Sequence, residues 1–273
     1  MRRGGSWRDS FLIAFGMYSR IPVPRADWDR ASMDYVMCFF PFVGAVLGGL
    51  SFLLQWGCAR LGLSPFLAAA LLVALPLWAT GGIHMDGYMD TRDALGSCQD
   101  RETKLTILKD SHAGAFAVMG CALYLLLSFG AWGALAERGA AALAKGSFGW
   151  GTPAWQAAFC VCAGYMVSRT LSALSVILFP KAKKTGSYVA LFSGRAARRQ
   201  GLVFLGALLA AEAACLGALG GWRGLLTLLA AAAVFGWYYH MSKKQFGGIT
   251  GDLAGYFVQQ AELAVLLAMA VTG

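Results

Sequence analysis

Three aspartates at helical spacing are the residues of this sequence best suited to chemistry. Asp86, Asp90 and Asp93 stand at i, i+4 and i+7 in the stretch TGGIHMDGYMDTRD, so a helix places all three carboxylates on one face. Carboxylates that close repel one another unless a cation lies between them. Such oxygen ligands favour Mg²⁺, which binds one or two protein carboxylates and completes its shell with water and phosphate. The spacing predicts a metal site for phosphoryl chemistry; the alternative is a solvated loop whose aspartates cap the next helix.

The composition is that of a polytopic membrane protein. Of the 273 residues, 58% are hydrophobic and only 14% are charged, whereas a soluble domain carries about 25% charged residues. The seven cysteines are an odd number without a CxxC pair, so they predict neither a disulfide framework nor a zinc site. The net charge of +9 suits anionic lipid or a phosphate-rich substrate, and the basic residues lie at helix ends, which argues against nucleic acid. We expect one membrane-embedded domain over residues 1–273.

Seven apolar stretches are long enough to cross about 30 Å of hydrocarbon. They follow an amphipathic segment at 7–18, which either lies in the headgroup plane or folds against the bundle. The predicted spans lie near 35–57, 63–82, 113–135, 153–179, 200–219, 222–240 and 253–272.

The placement of basic residues predicts the orientation of these spans. With the N-terminus in the cytoplasm, 18 of the 23 lysines and arginines fall inside and four fall outside, as the positive-inside rule requires. The basic loop at 181–199 is predicted to attract lipid headgroups in preference to a diphosphate. The sequence therefore predicts an all-α, multi-pass bundle in the cell (inner) membrane, with its active site on the cytoplasmic face.

The stretch KDSHAG opens the third predicted span. Asp110 or Ser111 is a natural N-cap for that helix. The functional alternative is a helix N-terminus whose free N–H groups meet an anionic substrate, with Lys109 adding charge. Asp110 is also a candidate for a further metal ligand or the general base.

The stretch FGGITGD precedes the last predicted span. Its glycines Gly247, Gly248 and Gly251 permit close backbone approach to a phosphate, and Thr250 or Asp252 can cap the helix. The loop lacks the lysine of a Walker A motif. The alternative interpretation is a flexible connection between two membrane helices.

Ionisable residues inside apolar spans are costly and often functional. Arg169 and Glu262 each lie about ten residues, or roughly 15 Å, from the cytoplasmic end of their helix. They are predicted either to pair with each other or to leave Arg169 facing a substrate phosphate. Glu212 is predicted to lie too far toward the other face to join the site. His84, at a helix end, either hydrogen-bonds substrate or has a structural role.

Together these stretches resemble one family, the adenosylcobinamide-GDP ribazoletransferases, which are membrane-bound cobalamin synthases. The matching segments are, in order, SRIPVP, GGIHMDGYMDTRDAL, LKDSHAGAF, VSRT and GGITGDLAG, beginning at positions 19, 81, 108, 167 and 247. Ala94 departs from the glycine often found in the family. Gln259 stands where many members carry glutamate, which weakens any catalytic role for that position.

The resemblance implies an Mg²⁺-dependent enzyme. Its activity would be transfer of the phosphocobinamide group of adenosylcobinamide-GDP to α-ribazole or α-ribazole 5′-phosphate, with release of GMP. The implied metal ligands are Asp86, Asp90, Asp93 and Asp252. The implied catalytic carboxylates are Asp90, Asp93 and Asp110, the last two being alternative general bases. The implied substrate-binding residues are Arg20, His84, Lys109, Ser111, Arg169, Gly248, Thr250 and Gly251. Membrane lipid and a second copy of the chain are further candidate partners.

Two other functions compete with this interpretation. A CDP-alcohol phosphotransferase also breaks a nucleotide diphosphate at a membrane surface. The sequence lacks that family's Ala-Arg pair after the first Asp-Gly and its long gap before the last aspartates. A transporter of a cation or a phosphate-bearing solute would place polar residues or broken helices at the membrane midplane, where the sequence offers only Arg169 and Glu262.

Overall fold

The computed structural model of this protein describes residues 7–26, 33–182 and 195–272, with the backbone alone for 195–197. Part of the predicted basic loop, 183–194, therefore lies outside the described residues. The helices found are α1 Trp7–Tyr18, α2 Val36–Arg60, α3 Pro65–Thr80, α4 Ile83–Gly96, α5 Arg101–Ile107, α6 Ala115–Ala144, α7 Pro153–Leu178, α8 Arg195–Gly220, α9 Trp222–Phe246 and α10 Gly251–Val271. The predicted all-α fold is confirmed.

The described helices make a polytopic membrane bundle. Six of them are long and apolar enough to cross a membrane, namely α2, α6, α7, α8, α9 and α10. A seventh crossing results if α3 and α4 count as one span, which is bent by 96°. Helix α3 has 16 residues, or about 24 Å, and is shorter than the roughly 30 Å of hydrocarbon. The straight span predicted at 63–82 is therefore replaced by a short helix and a sharp turn.

Two glycines make the turn between α3 and α4. Gly81 and Gly82 have φ angles of 67° and 78°, a left-handed conformation that residues with a β-carbon rarely adopt. The first ends α3 and the second precedes α4. The N–H of Arg20 donates to the Ala79 carbonyl at 2.7 Å, so the segment after α1 lies against this turn. Helix α4, which carries Asp86, Asp90 and Asp93, consequently runs across α3 instead of continuing it.

Small residues allow the central helices to pack closely, as is typical of membrane bundles. A β-carbon on Gly44 of α2 would lie 2.2 Å from the Tyr165 carbonyl oxygen of α7, and one on Gly48 would lie 2.1 Å from that of Cys162. Helix α10 packs against α4, α7 and α9. In the apolar stretch of α7, 72% of the residues are buried, against 17% for α8. The core therefore lies around α2, α7 and α10, and α8 is peripheral.

The amphipathic segment at 7–18 is a helix that folds against the bundle. Helix α1 packs on α2, with Ile13 and Ala14 buried between them. Trp7 stacks on Tyr35 at a ring-centroid distance of 4.8 Å. Of the two predicted placements for this segment, the structure has the packed one.

Candidate functional site

A cavity of about 370 Å³ opens where five helix ends meet. It lies between the N-terminal parts of α2, α4 and α10 and the C-terminal parts of α1 and α7. The polar side chains that line it include Tyr18, His84, Asp86, Ser172 and Asp252. Two acidic residues thus lie in the first turns of α4 and α10, where the positive end of a helix dipole stabilises negative charge.

Close backbone contact between α4 and α10 brings the acidic residues together. A β-carbon on Gly87 would lie 2.7 Å from the Asp252 carbonyl oxygen, and one on Gly255 would lie 3.3 Å from the His84 Cα. Because Asp86 precedes Gly87, this contact places the first turn of α4 beside Asp252. The predicted grouping of Asp86 with Asp252 therefore depends on two glycines that the sequence interpretation did not single out.

Asp90 lies one turn further along α4 and is half-buried. Burial and the charges of Asp86, Asp252 and Asp93 raise the pKa of its carboxyl to about 6. Among the residues that the structure describes, no ion pair involves Asp86 or Asp90. A set of carboxylates that repel one another without a basic partner is one that a bound cation would stabilise.

The donor chemistry of this acidic group fits a magnesium ion. No group of three His, Cys, Asp or Glu side chains in the described chain is arranged to hold a metal by itself. Mg²⁺ does not require one, since it uses one or two protein carboxylates and takes its other ligands from water and substrate phosphate. Asp86 and Asp252 provide oxygen donors for such a shared site, and Asp90 lies close enough to both for their charges to raise its pKa.

Asp93 has a different set of contacts from its neighbours on α4. Its Oδ2 accepts a hydrogen bond from the Gly114 N–H, and its Oδ1 accepts one from the Ala117 N–H at 2.8 Å. Asp93 therefore caps the N-terminus of α6 from another helix. Two of the N–H groups at this helix N-terminus, which was predicted to meet an anionic substrate, are thus bound to this carboxylate.

The prediction that Asp110 or Ser111 caps the following helix is wrong. Helix α6 begins only at Ala115, because the capping carboxylate comes from α4. Asp110 instead accepts a hydrogen bond from the His112 N–H at 3.0 Å and pairs with His112 Nδ1 at 2.7 Å. These bonds lower the pKa of the Asp110 carboxyl, which makes it a weaker base. Lys109 is exposed on the same loop, and it is not among the residues that line the cavity.

Arg169 and Glu262 form a buried ion pair, which is one of the two predicted arrangements. Arg169 Nη1 contacts Glu262 Oε1 and donates to the Tyr165 carbonyl at 2.9 Å. Arg169 is only 1% exposed, and its guanidinium lies 5.8 Å from the ring centroid of Phe40, which lines the cavity. The pair therefore lies behind the cavity wall and supports it, and Arg169 does not face a phosphate position.

His84 lines the cavity and is a buried polar group without a hydrogen-bond partner among the described residues. It is 4% exposed, and neither ring nitrogen has a hydrogen-bond partner among the described residues. Its ring stacks on that of Tyr18, with a centroid distance of 6.1 Å and an interplanar angle of 9°. Burial and the charge of Arg169 lower the pKa of His84 well below its ordinary value, so the ring is neutral at pH 7. An unpartnered ring nitrogen in a cavity favours the predicted substrate hydrogen bond.

The glycine-rich loop is held in place by the segment after α7. The Ile249 N–H donates to the Pro180 carbonyl at 2.8 Å, and the Ala182 N–H donates to the Ile249 carbonyl at 3.1 Å. A β-carbon on Gly248 would lie 2.5 Å from the Pro180 oxygen, so this glycine makes room for the neighbouring backbone and not for a phosphate. The interpretation as a flexible connection does not hold.

Two other residues of this loop lie at the N-terminus of α10. Thr250 caps α10, since its Oγ1 accepts a hydrogen bond from the Leu253 N–H at 3.2 Å. Gly251 lines the cavity, and no atom lies within 4 Å of the place where its β-carbon would be. A phosphate oxygen can therefore approach the N-terminus of α10 at this point.

Three residues at or near the site were missed by the sequence interpretation. Ser172 lines the cavity one helical turn after Arg169, a spacing that was available in the sequence. Tyr18 lines it from the end of α1. The Arg101 guanidinium lies over Gly247, with Nη1 2.9 Å from the position of an added β-carbon, and no sequence signal connects these two residues. Arg20, which was predicted to bind substrate, is exposed, and its Nε lies 2.9 Å from the position of an added β-carbon on Gly81.

Comparison with known proteins gives concordant matches over the whole chain. Residues 10–270 match the family described as cobalamin-5-phosphate synthase. The adenosylcobinamide-GDP ribazoletransferase of Lachnoclostridium phytofermentans is 38% identical over 97% of this chain and 94% of its own length. The proteins of the same name from Pseudomonas entomophila and Brevibacillus brevis are 36% and 31% identical, each over 96% of this chain and 98% and 97% of their own lengths. No solved structure matches this chain.

Proposed function

Because this chain belongs to the cobalamin-5-phosphate synthase family, we propose that the cavity at α4 and α10 is the active site of an adenosylcobinamide-GDP ribazoletransferase. The protein is a membrane-embedded transferase of cobalamin nucleotide-loop assembly. The observation that carries the assignment of the site is a group of carboxylates that have no basic partner among the described residues. They lie at a cavity lined by the first turns of α4 and α10. In this reaction a hydroxyl of α-ribazole, or of its 5′-phosphate, attacks the phosphorus that bears the corrinoid arm, and GMP leaves.

The residues at the cavity mouth have distinct proposed roles. Asp86 and Asp252 would hold a divalent cation, which would supply charge neutralisation for the leaving GMP. The N-terminus of α10 at Gly251 receives a phosphate oxygen. His84 orients the substrate through a neutral ring nitrogen. These four positions surround one cavity, which is the geometry that positional catalysis requires.

One carboxylate must accept the proton of the attacking hydroxyl, and we assign this role to Asp90. Asp93 caps α6 with both oxygens, and Asp110 is paired with His112 in an exposed loop. Asp90 has neither kind of partner within the part of the chain that the structure describes, and it lies on the same helix face as Asp86. A carboxylate within reach of the hydroxyl is the simplest general base for this step.

The site is proposed to open to the cytoplasm. The positive-inside rule orients the spans so that the loops around 84–112 and 246–252 are cytoplasmic. GDP-activated substrates are water-soluble, so they reach the site from an aqueous side of the membrane. Neither the phosphotransferase alternative nor the transporter alternative is favoured, because the family matches span the chain and Arg169 is paired with Glu262.

The test is GMP release by the purified protein from adenosylcobinamide-GDP and α-ribazole. We expect activity that requires added Mg²⁺ and is abolished by EDTA. Asp86→Asn and Asp90→Asn should each lower the rate at least about a hundredfold, the range typical of general acid–base and charge-stabilising groups. The matched control is Asp100→Asn, because Asp100 is an exposed N-cap outside the cavity and asparagine caps equally well. Full activity of Asp86→Asn, or activity in EDTA, would contradict the proposal.

A further inference from the structure

A second and larger cavity lies on the lipid-facing side of the bundle, between α2, α7 and α8. Its volume is about 770 Å³, within the range of small-molecule sites. Along α7 its lining runs from Trp155 to Val167, a distance of about 18 Å. Phe159 stacks on Trp155 with a ring-centroid distance of 5.1 Å and an interplanar angle of 4°. Trp150 packs on the same Trp155 ring at a centroid distance of 4.8 Å. The cavity is thus an elongated apolar groove with an aromatic wall.

One buried polar side chain faces this groove, and it lacks a partner for one of its oxygens. Glu212 is 8% exposed. Its Oε1 accepts a hydrogen bond from Thr170 Oγ1 at 2.6 Å, whereas Oε2 has no hydrogen-bond partner among the described residues. Apolar surroundings inside a membrane favour the neutral acid. The Thr170 hydroxyl, which has a single hydrogen, also lies 3.1 Å from the Met166 carbonyl, so either carboxyl oxygen of Glu212 can carry the proton. In both cases Oε2 is a buried polar atom without a hydrogen-bond partner among the described residues.

We propose that this groove binds a lipid-soluble, long-chain alcohol whose hydroxyl group forms a hydrogen bond with Glu212 Oε2. The chain of such a molecule would lie along the aromatic wall, parallel to α7. Among the described residues that line the groove there is no lysine or arginine, so a phospholipid would find no partner for its phosphate. A concave groove of this depth also suits a slender ligand better than the flat surface of a second protein.

Gly49 of α2 provides part of the space for this ligand. No atom lies within 4 Å of the position where its β-carbon would be, so a larger residue there enters the groove without displacing backbone. Its neighbour Gly48 differs, because a β-carbon there would lie 2.1 Å from the Cys162 carbonyl oxygen. Substitution of Gly49 therefore fills the groove, whereas substitution of Gly48 would separate α2 from α7.

The proposal is tested by photolabelling in phosphatidylcholine proteoliposomes with a hexadecanol that carries an alkyl diazirine. We expect adducts at Glu212 or on the Trp155–Val167 segment, located by mass spectrometry of peptides. Unlabelled 1-hexadecanol should prevent labelling about tenfold more effectively than hexadecane, which is the effect of one hydrogen bond. Equal competition by the alcohol and the alkane would overturn the proposal.

Variants separate this site from the fold as a whole. Gly49→Leu should reduce labelling about tenfold by filling the groove. Gly57→Leu, on the same helix with open space around it and outside the groove lining, should leave labelling unchanged. Glu212→Gln retains both a donor and an acceptor and should retain the preference for the alcohol, whereas Glu212→Leu should lose it. GMP release by each variant reports that the bundle is intact.

A second copy of the chain is the competing occupant, and the experiment distinguishes it. The exposed Cys215 lines the groove. Oxidative crosslinking of two chains through Cys215 in the same proteoliposomes, with no adduct in the groove, would show that a protein covers this surface and would contradict the proposal. An adduct in the groove with Cys215 open to a membrane-soluble thiol reagent supports it.

Discussion

At the scale of single residues, the acidic group on α4 divides into two functions. Asp86 and Asp90 have no basic partner among the described residues, whereas Asp93 gives both oxygens to backbone N–H groups of α6. Asp93 meets the positive end of the α6 dipole, whereas burial and the charges of the neighbouring carboxylates raise the pKa of Asp90. The three aspartates of the i, i+4, i+7 pattern are therefore not equivalent.

The raised pKa of Asp90 predicts how magnesium affects stability at different pH values. Its folded-state pKa of about 6 exceeds the ordinary value near 3.9, so the folded protein binds the proton more tightly than the unfolded chain. The stabilisation that the protonated Asp90 gives to the folded protein is therefore complete below about pH 4, and it is lost as the pH rises through about 6. We expect Mg²⁺ to raise the melting temperature of the detergent-solubilised protein more at pH 7.5 than at pH 5. An equal shift at both values would contradict this, and Asp90→Asn should weaken the pH dependence.

The buried pair of Arg169 and Glu262 predicts a strong asymmetry between single and double substitutions. Removing one partner leaves an uncompensated charge in an apolar interior and should cost about 3–5 kcal/mol of stability. Arg169→Met and Glu262→Met should each lower the thermal stability of the purified protein markedly. The double variant should recover most of the loss, since an apolar pair replaces an ionic one. A double variant that is no more stable than either single one would show that the two residues act independently.

At the scale of helices, the site depends on how closely α4 and α10 approach each other. Gly81 and Gly82, the two glycines with left-handed backbone conformation at the end of α3, turn α4 across the bundle. Gly87 and Gly255 then allow its first turn to touch the first turn of α10. Two helix N-termini, each with an aspartate, thus meet at one cavity. The catalytic arrangement is a property of this helix pair and not of either helix alone.

A methyl group at Gly87 therefore predicts a loss of activity. The β-carbon of Gly87→Ala would lie 2.7 Å from the Asp252 carbonyl oxygen, so α4 and α10 must separate by several tenths of an ångström or more. Because misplacement by about 1 Å can cost about a hundredfold in rate, we expect GMP release to fall at least about tenfold. Gly57→Ala on α2, where the space is open, is the control and should retain full activity. Wild-type activity in Gly87→Ala would show that the contact is not required.

At the scale of the whole molecule, two cavities lie on the same pair of central helices. The proposed active site uses the beginning of α2 and the end of α7, and the lipid-facing groove is lined by α2 between Ala45 and Leu53 and by α7 between Trp155 and Val167. The buried pair of Arg169 and Glu262 and the bond between Thr170 and Glu212 lie between them along α7. The bundle therefore separates an acidic, water-accessible site from an apolar one.

The orientation of the bundle predicts which thiols are reachable from each side. Cys98 is exposed just after α4, so a membrane-impermeant maleimide should label it in inverted vesicles and not in sealed cells. A cysteine introduced as Ser147→Cys, in the exposed loop between α6 and α7, should show the reverse. A Cys98→Ser background identifies each signal. Labelling of Cys98 from the outside would contradict the cytoplasmic position of the site.

The sequence by itself determined the membrane bundle, the helix that carries Asp86, Asp90 and Asp93, and the family. These features depend on local properties, namely apolar length, helical spacing and the order of short motifs. The cap that Asp93 provides to α6, the pairing of Arg169 with Glu262 and the free oxygen of Glu212 were decided only by the tertiary structure. Each of them depends on how residues of different helices meet. The position of one helix against another depends on packing at glycines such as Gly44 and Gly87, which spacing along the chain does not reveal.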